Sequence, residues 1–188
     1  LGSNSLSELL VFGARAGQHA AQYSSETAYP DSGDLEQMVA DEKQRIDSQF
    51  FKNEGTEKIA DIRSDLQKTM ESGAGIYREE ESLKQTCLEI PKLKERYSRV
   101  KVNDTSAVFN TELTAALELG SLLDVAEAVA HSALLRRESR GSHSRSDYEE
   151  RDDENFLVHS LAYRTDGEPR IDYQDVVITR WQPEERKY

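Results

Sequence analysis

Apolar residues recur every three or four positions along most of this chain, which is the pattern of amphipathic helices. The first run lies within residues 1–24, and Ser5 and Glu8 fit a capping box in which Ser5 is the N-cap. Its packing face carries leucines and then small residues: Leu6, Leu9, Leu10, Gly13, Ala16, Gly17, Ala20 and Ala21. Because glycine lowers helix propensity, and Gly and Ala side chains allow close approach, we expect this face to pack against another backbone or a flat ligand.

Four more apolar stripes follow a loop predicted at residues 29–33, where Pro and Gly cluster with short polar residues. Residues 53–55 break the first of these stripes, and Gly73 fits the C-cap of the second. Pro91 lies inside the third stripe and should kink it or split it. The inward positions are Leu35, Met38, Val39, Glu42, Ile46 and Phe50; Ile59, Ile62, Leu66 and Met70; Leu83, Cys87, Ile90, Leu93 or Lys94, Tyr97 and Val100; and Leu113, Leu117, Leu122, Val125, Val129 and Leu134 or Leu135.

The hydrophobic period changes after Arg137. Residues 138–155 are polar, whereas residues 156–163 and 171–181 alternate between apolar and polar and flank a turn signal at residues 165–167. One face of these two runs would carry Leu157, Leu161, Tyr163, Ile171, Tyr173, Val177 and Trp181. Because a lone hairpin is marginally stable in water, we expect it to pack on the helices and to shield Trp181 from solvent.

These patterns predict a mainly α fold, an antiparallel helical bundle of three to four helices with a C-terminal β-hairpin. We place the bundle at residues 34–138, the polar loop and hairpin at residues 139–188, and a separate helix at residues 1–28. Charged residues make up 32% of the chain, and they are accounted for by the outer faces of these helices, so the composition does not indicate disorder.

Composition narrows the function classes. The chain has 188 residues, with 24 Lys and Arg against 36 Asp and Glu, which gives a net charge of −12. This acidic excess argues against a nucleic-acid-binding protein, because affinity for phosphate comes from Lys and Arg. No apolar run approaches the roughly 20 residues that a membrane-spanning helix needs. The first residue is Leu and the only methionines are Met38 and Met70, so we expect a piece of a longer polypeptide.

Cysteine and histidine usage gives no visible catalytic or metal site. The chain has a single cysteine, Cys87, which excludes an internal disulfide and fits a reducing compartment. Its place on a helical stripe predicts a small core residue. One Cys and four scattered His do not match a structural zinc site or a nucleophilic triad. We expect His131 to be a satisfied core histidine and His159 an edge or interface residue. No glycine-rich phosphate loop is present, so we assign no catalytic residue.

Two places could still bind a ligand. The N-terminus of the first helix offers unsatisfied amides and a positive dipole to an anion or to the carbonyl edge of a ring, although an ordinary capped helix fits the same pattern. The second place is a polar segment whose basic residues are Arg136, Arg137, Arg140, His143, Arg145 and Arg151. Arginine forks could bind a dicarboxylate there, but the interleaved acidic residues favour an internal ion-pair network in a surface loop.

Several segments together resemble a known family. The opening LGSNSLSELLVFGARAG is followed in order by GIYR at 75–78, VNDTSAVFNTEL at 102–113, AHSALLRRESRGSHSR at 130–145, ERDDENFLVHSLAYR at 150–164 and VVITRWQPEERKY at 176–188. These segments resemble the C-terminal portion of the flavoprotein subunit of succinate dehydrogenase and fumarate reductase. L-aspartate oxidase shares the first segment, but RGSHSR and RDDENF are more similar to the respiratory enzymes.

The resemblance implies an FAD-dependent oxidoreductase as the parent protein. Such a parent moves a hydride between the flavin and succinate or fumarate, and passes electrons through an iron–sulfur subunit to or from quinone. The family's FAD contacts in this region map onto Ser5 and Leu6, which agrees with the helix N-terminus as a flavin site. The resemblance also implies membrane-anchor subunits, a peripheral place on the cytoplasmic side of the membrane, and a first helix that belongs to an FAD-binding domain upstream.

The family's remaining functional parts lie upstream of this chain: the dinucleotide fingerprint, the histidine that tethers FAD, the capping domain with its proton-donating arginine, and the substrate-binding arginine. We therefore expect the chain alone to be inactive and not to retain FAD. A free-standing helical interaction module derived from this domain is the alternative. A free-standing module should bury Leu6, Leu9, Leu10 and Phe12 in its own core. A piece of a longer protein should leave these side chains exposed or bury them in a homodimer.

Overall fold

The computed structural model describes residues 4–29 and 31–184. Its helices are α1 Asn4–Glu26, α2 Ser32–Ile46, α3 Ile59–Ala74, α4 Glu80–Tyr97, α5 Thr111–Leu135 and α6 Asp153–Phe156, and a π-helical turn spans Asp47–Phe51. Its strands are β1 Tyr77–Arg78, β2 Ser144–Arg145, β3 Val158–Tyr163 and β4 Arg170–Asp175. The chain divides into two compact units, residues 1–48 and 49–188. Within the described residues, no helix has the length and apolar character needed to cross a membrane.

The first unit consists of α1 and α2. The Asp31 carboxylate accepts a hydrogen bond from the Gly33 amide at 2.9 Å and so caps α2, which begins at Ser32, earlier than the predicted loop allowed. The described residues from 5 to 45 are all exposed. The predicted stripe is therefore wrong for Leu35, Met38 and Val39, which are open to solvent, whereas its last member, Phe50 in the π-helical turn, is buried. The boundary between the units falls after α2, whereas the predicted bundle began at residue 34.

The second unit is built on a three-helix bundle in which α3, α4 and α5 pack on one another. The start of α3 meets the end of α4, where the Asp65 carboxylate accepts from Arg96 at 2.7 Å, so these two helices are antiparallel. The end of α4 likewise meets the start of α5, where the Tyr97 hydroxyl donates to the Ala116 carbonyl at 2.9 Å. The mainly α fold with a helical bundle and a hairpin is confirmed.

Helices α3 and α4 bury the stripes predicted for them, including Ile62, Leu66, Leu83 and Ile90. The predicted C-cap at Gly73 is wrong, because α3 continues to Ala74 and Gly75 is the C-cap. Gly73 serves close packing instead: a Cβ there would lie 1.7 Å from Thr86 Oγ1 of α4. Pro91 does not split α4, which runs unbroken from Glu80 to Tyr97.

Helix α5 buries a different face from the predicted one. Leu122, Val125 and Val129 are exposed, whereas the buried residues are Ala116, Leu119, Leu123, Ala126, Ala130, His131 and Ala133. The prediction failed because α5 is apolar almost all round, so its periodicity does not define one face. The small alanines face inward, where they let the neighbouring helices approach closely.

The predicted hairpin is formed by β3 and β4, which pair antiparallel from Val158–Asp175 to Tyr163–Arg170 and pack on α5. Trp181 is 81% exposed, so the prediction that the hairpin shields it is wrong. The pairing ends at Asp175, and the alternating pattern that follows lies outside the strand. A second sheet, which the sequence did not indicate, pairs β1 with β2 in parallel.

Candidate functional site

The first turn of α1 carries Ser5 and Leu6, the two residues predicted to contact a cofactor. Because α1 already begins at Asn4, Ser5 lies inside the helix and is not the N-cap, as the sequence had suggested. Ser5 and Glu8 do not form the reciprocal hydrogen bonds of a capping box, so that prediction is wrong. Both Ser5 and Leu6 are exposed, and they adjoin the first-turn amides that no helix satisfies internally.

An apolar face continues along α1 from this turn. Its large side chains are each 58–77% exposed: Leu6, Leu9, Leu10 and Phe12. The small residues that follow are equally open, since a Cβ added at Gly13 or Gly17 would meet no atom within 4 Å. This face has the composition of a packing surface but is not packed in this structure.

The polar segment after α5 forms a second candidate, which we call the ionic junction (Arg136, Glu138, Arg140, His143, Arg145 and Asp147). Arg145 is 1% exposed and donates from Nη1 to the carbonyls of Ala133 and Leu134 at 3.0 and 3.2 Å, so it caps the C-terminus of α5. Its Nε and Nη2 donate to the two Asp147 oxygens at 2.7 Å each. The Asp147 carboxylate also accepts from the Glu80 amide at 2.8 Å, which links α5 to the start of α4.

These contacts lower the pKa of the Asp147 carboxyl group. The hydrogen bond from Arg145 lowers its pKa to about 2, because it outweighs the opposing effect of burial, and the Glu80 amide adds to the lowering. The carboxylate is therefore ionised throughout the physiological range and remains paired with Arg145.

Glu138 is the centre of the junction and is fully buried. Its Oε1 accepts from Arg136 at 2.6 Å and from Arg140 at 2.8 Å, and its Oε2 accepts from Arg140 at 3.0 Å and from the Asp152 amide at 2.9 Å. Burial opposes ionisation, but the hydrogen bonds from Arg140, the Asp152 amide and Arg136 offset it and lower the pKa of Glu138. The buried charge is fully compensated.

Arg136 joins the hairpin to the end of α5. Its Nη1 donates to the Phe156 carbonyl at 2.9 Å, and its Nη2 donates to the Val158 carbonyl at 2.6 Å and to Ser160 Oγ at 3.0 Å. The guanidinium also lies 5.6 Å from the centre of the Phe156 ring.

His143 holds the remaining contact between the junction and β1. Its Nδ1 lies 2.9 Å from Arg78 Nη1, and because a guanidinium can only donate, Nδ1 is the acceptor and the ring is neutral. The Nε2 hydrogen is then donated to the Arg136 carbonyl at 3.0 Å. Burial lowers the pKa of His143, and the charges of Arg78, Arg145 and Arg136 lower it further against the opposing carbonyl bond.

The ionic junction thus satisfies itself. The guanidinium groups of Arg136, Arg140 and Arg145 are directed at internal carboxylates and carbonyls, so none of these three arginines offers an open fork to a dicarboxylate. The arrangement is therefore the internal ion-pair network that the interleaved charges predicted. The centre of this network is buried, whereas a surface loop was expected.

The other singled-out residues lie apart from these two places. Cys87 is buried, and desolvation raises its pKa to about 11. His131 is buried as expected, but its Nε2 has no hydrogen-bond partner, so it is not the satisfied histidine predicted. His159 is exposed on β3. In the described part of the chain, no three His, Cys, Asp or Glu side chains form a group that could hold a metal ion.

Comparison with known proteins decides the family. The profile described as "Fumarate reductase flavoprotein C-term" matches residues 63–188, which is more than half of the chain. The chain belongs to the fumarate reductase and succinate dehydrogenase flavoprotein family. The resemblance noted from its motifs is confirmed, and five of the six residues of the ionic junction lie in one of the segments that carried it, 130–145.

Individual relatives of this flavoprotein family agree. A fumarate reductase flavoprotein subunit from a Serratia species is 50% identical over 191 residues, covering 100% of this chain and 32% of that protein. A succinate dehydrogenase flavoprotein subunit from Rickettsia bellii is 38% identical over 183 residues, covering 95% of this chain and 30% of that protein. The solved quinol fumarate reductase of E. coli superimposes with a TM-score of 0.90 at 44% identity, covering 98% of this chain and 32% of that chain. The chain therefore spans about a third of the length of its curated relatives.

Proposed function

We propose that this chain is the C-terminal part of an FAD-dependent oxidoreductase subunit that interconverts succinate and fumarate. Membership of the flavoprotein family and the match to about the last third of a fumarate reductase subunit support this. In succinate oxidation, one C–H bond would break as a hydride and the neighbouring C–H as a proton, leaving a C=C bond. FAD, when bound, would supply the hydride acceptor, and an iron–sulfur subunit and quinone would be the electron carriers beyond it.

The proposal assigns Ser5 and Leu6 to the flavin site. The single observation that carries it is the exposed first turn of α1, which is continuous with an uncovered apolar face. Such a turn fits the pyrimidine edge of a flavin, since its carbonyl oxygens accept hydrogen bonds and gain negative charge when the ring is reduced. Leu6 would supply an apolar contact beside the ring, and the Gly13 region would pack on the domain that holds it.

The exposed α1 face supports the proposal over a free-standing interaction module. A free-standing interaction module should cover the α1 face, and this structure leaves it open. RGSHSR and RDDENF favour the respiratory enzymes over L-aspartate oxidase. We accordingly assign residues 1–28 to an FAD-binding domain and residues 139–188 to the polar loop and hairpin that follow the bundle. Iron–sulfur and membrane-anchor subunits would be its partners, at the cytoplasmic side of a membrane.

The first experiment titrates the 188-residue chain with FAD and follows flavin fluorescence. We expect no tight binding and no succinate oxidation, because one helix terminus supplies a small share of a flavin's contacts and the chain carries no assigned catalytic residue. Stoichiometric sub-micromolar binding of FAD would contradict the proposal.

The second experiment changes Ser5→Leu in a full-length subunit and measures flavin occupancy and reduction potential. We expect one of the two to change, because the bulky side chain obstructs the amides of the first turn. Ser24→Leu is the matched control, as it makes the same substitution near the other end of α1. Unchanged occupancy and potential in the Ser5 variant would remove Ser5 from the site.

A further inference from the structure

A groove of about 760 Å³ lies in the second unit, on the opposite end of α5 from the ionic junction. It is lined by residues 54–60, by Arg63, by Lys101 and Asn103, and by the first turns of α5. This volume falls in the range of small-molecule sites. Neither the family relationship nor the proposed function assigns it a role.

Two of the acidic side chains in the lining accept hydrogen bonds from groups within the protein. Glu57 Oε2 accepts from Arg96 Nε and Nη2 at 3.1 and 3.0 Å. Glu112 Oε2 accepts from the amides of Asn103 and Asp104 at 3.0 and 2.8 Å. The charge of Glu57 is therefore paired with that of Arg96, whereas Glu112 and the exposed Glu54 keep their negative charges in the lining.

The basic side chains in the lining have few acidic partners. Within the described ranges, neither Lys58 nor Lys101 has a carboxylate oxygen within 4.0 Å. Arg63 reaches Glu118 only at 3.5 Å through Nη2, and its Nε is buried without any hydrogen-bond partner. A buried donor without an acceptor costs free energy unless a ligand or water supplies one. Lys58, Arg63 and Lys101 are therefore three weakly paired cations around one concavity.

The backbone adds donors of the same kind. Helix α3 spans 16 residues and begins in this groove at Ile59, but its N-cap, Lys58, provides no capping side chain. The first-turn amides therefore add partial positive charge to the cations around them. Ile59, Ala60 and Ala115 supply an apolar part of the lining.

We propose that this groove binds a small organic anion carrying at least two phosphate or carboxylate groups. Lys58, Lys101 and Arg63 would contact its charged groups, while the apolar lining would contact its organic body. The inference is independent of the flavin site, which lies on the other unit of the chain.

The test is a titration of the 188-residue chain with pyrophosphate, with citrate and, for comparison, with chloride at matched ionic strength. Backbone amide NMR shifts of Ile59, Ala60 and Lys101 are the readout. We expect saturable shifts at these amides with pyrophosphate or citrate, and the tighter of the two identifies the source as phosphate or carboxylate. Shifts that grow linearly, that chloride reproduces, or that lie mainly elsewhere would overturn the proposal.

Charge variants sharpen the test. The double variant Lys58→Gln and Lys101→Gln should weaken binding by about tenfold or more, because it removes two charge-assisted contacts. The pair Lys68→Gln and Lys92→Gln removes the same charge from exposed sites outside the lining and should leave the affinity nearly unchanged. Glu54→Gln should tighten binding. Equal weakening by both lysine pairs would show general charge attraction and would contradict a defined site.

Discussion

Helices α1 and α5 are similar in length, with 23 and 25 residues, and both combine large apolar side chains with Gly and Ala. In the second unit, α5 buries its alanines and two leucines against α3, α4 and the hairpin. In the first unit, α1 leaves its leucines and glycines open. Similar composition thus has opposite outcomes. The second unit contains the partners for its apolar surface, whereas the apolar face of α1 has no partner among the described residues of the first unit.

The largest expected effect concerns the ionic junction. Arg145→Ala should lower the free energy of unfolding by about 3–5 kcal/mol, because it leaves the Asp147 charge and the α5 carbonyls without their buried donor. The measurement is urea denaturation followed by circular dichroism at 222 nm.

The matched control is Arg15→Ala on α1, which should change stability by less than about 0.5 kcal/mol because its side chain is exposed. A comparable loss in both variants would contradict the contrast between the units. Arg145→Lys should recover only part of the loss, since an ammonium cannot contact Asp147 bidentately while it caps α5.

The next effect compares two helical glycines. Gly73→Ala should destabilise the chain by about 1–3 kcal/mol, because the new methyl group overlaps Thr86 and forces α3 and α4 apart. Gly13→Ala should instead stabilise α1 by about 0.5–1 kcal/mol, as the added methyl group meets no neighbour. Thermal unfolding of both variants distinguishes the signs.

The effect of Gly13→Ala on stability should change sign in a full-length subunit. There, Gly13→Ala should become destabilising, because the proposed function places another backbone against this face. If Gly13→Ala stabilises the full-length subunit as much as it stabilises the chain, the small residues of α1 have no packing role.

The smallest effect is a pH dependence. The pKa of His143 is lowered by folding, so below its ordinary value of 6.5 the unfolded chain binds a proton that the folded chain does not bind. Stability should therefore fall as the pH decreases from 7 to 5, before the carboxylates protonate, and His143→Gln should flatten this slope. His19→Gln removes an imidazole from exposed α1 and should retain it. Equal slopes for both variants would show that His143 does not cause the dependence.

The sequence predicted the parts of this fold that depend on local periodicity. The stripes of α3 and α4 and the turn between β3 and β4 follow from spacing alone, because each helix or hairpin presents one apolar face. Helix α5 failed this test, since its surface is apolar on both sides and only its neighbours select Ala116 over Val125. The same limit applies to α2. Its apolar spacing correctly predicted a helix, but spacing does not tell whether another element packs against the apolar side.

The ionic junction was predictable in composition and not in geometry. The alternation of Arg with Asp and Glu indicated a network, but the pairing of Asp147 with the Glu80 amide joins residues 67 positions apart. The parallel pairing of β1 with β2 is non-local in the same way. Gly141 was the one local signal: its φ of 61° and the two hydrogen bonds between Arg140 and His143 define a tight turn that positions the junction.

The Asp147 carboxylate has a consequence for how the second unit holds together. It joins the beginning of α4 to the segment that caps the end of α5, and the Arg78 carbonyl accepts from the Ser146 amide at 2.9 Å beside it. The connection between these two helices through residues 98–110 is therefore not the sole tie between them. A protease cut in the exposed stretch 104–109 would leave two pieces that remain associated and sediment as one particle.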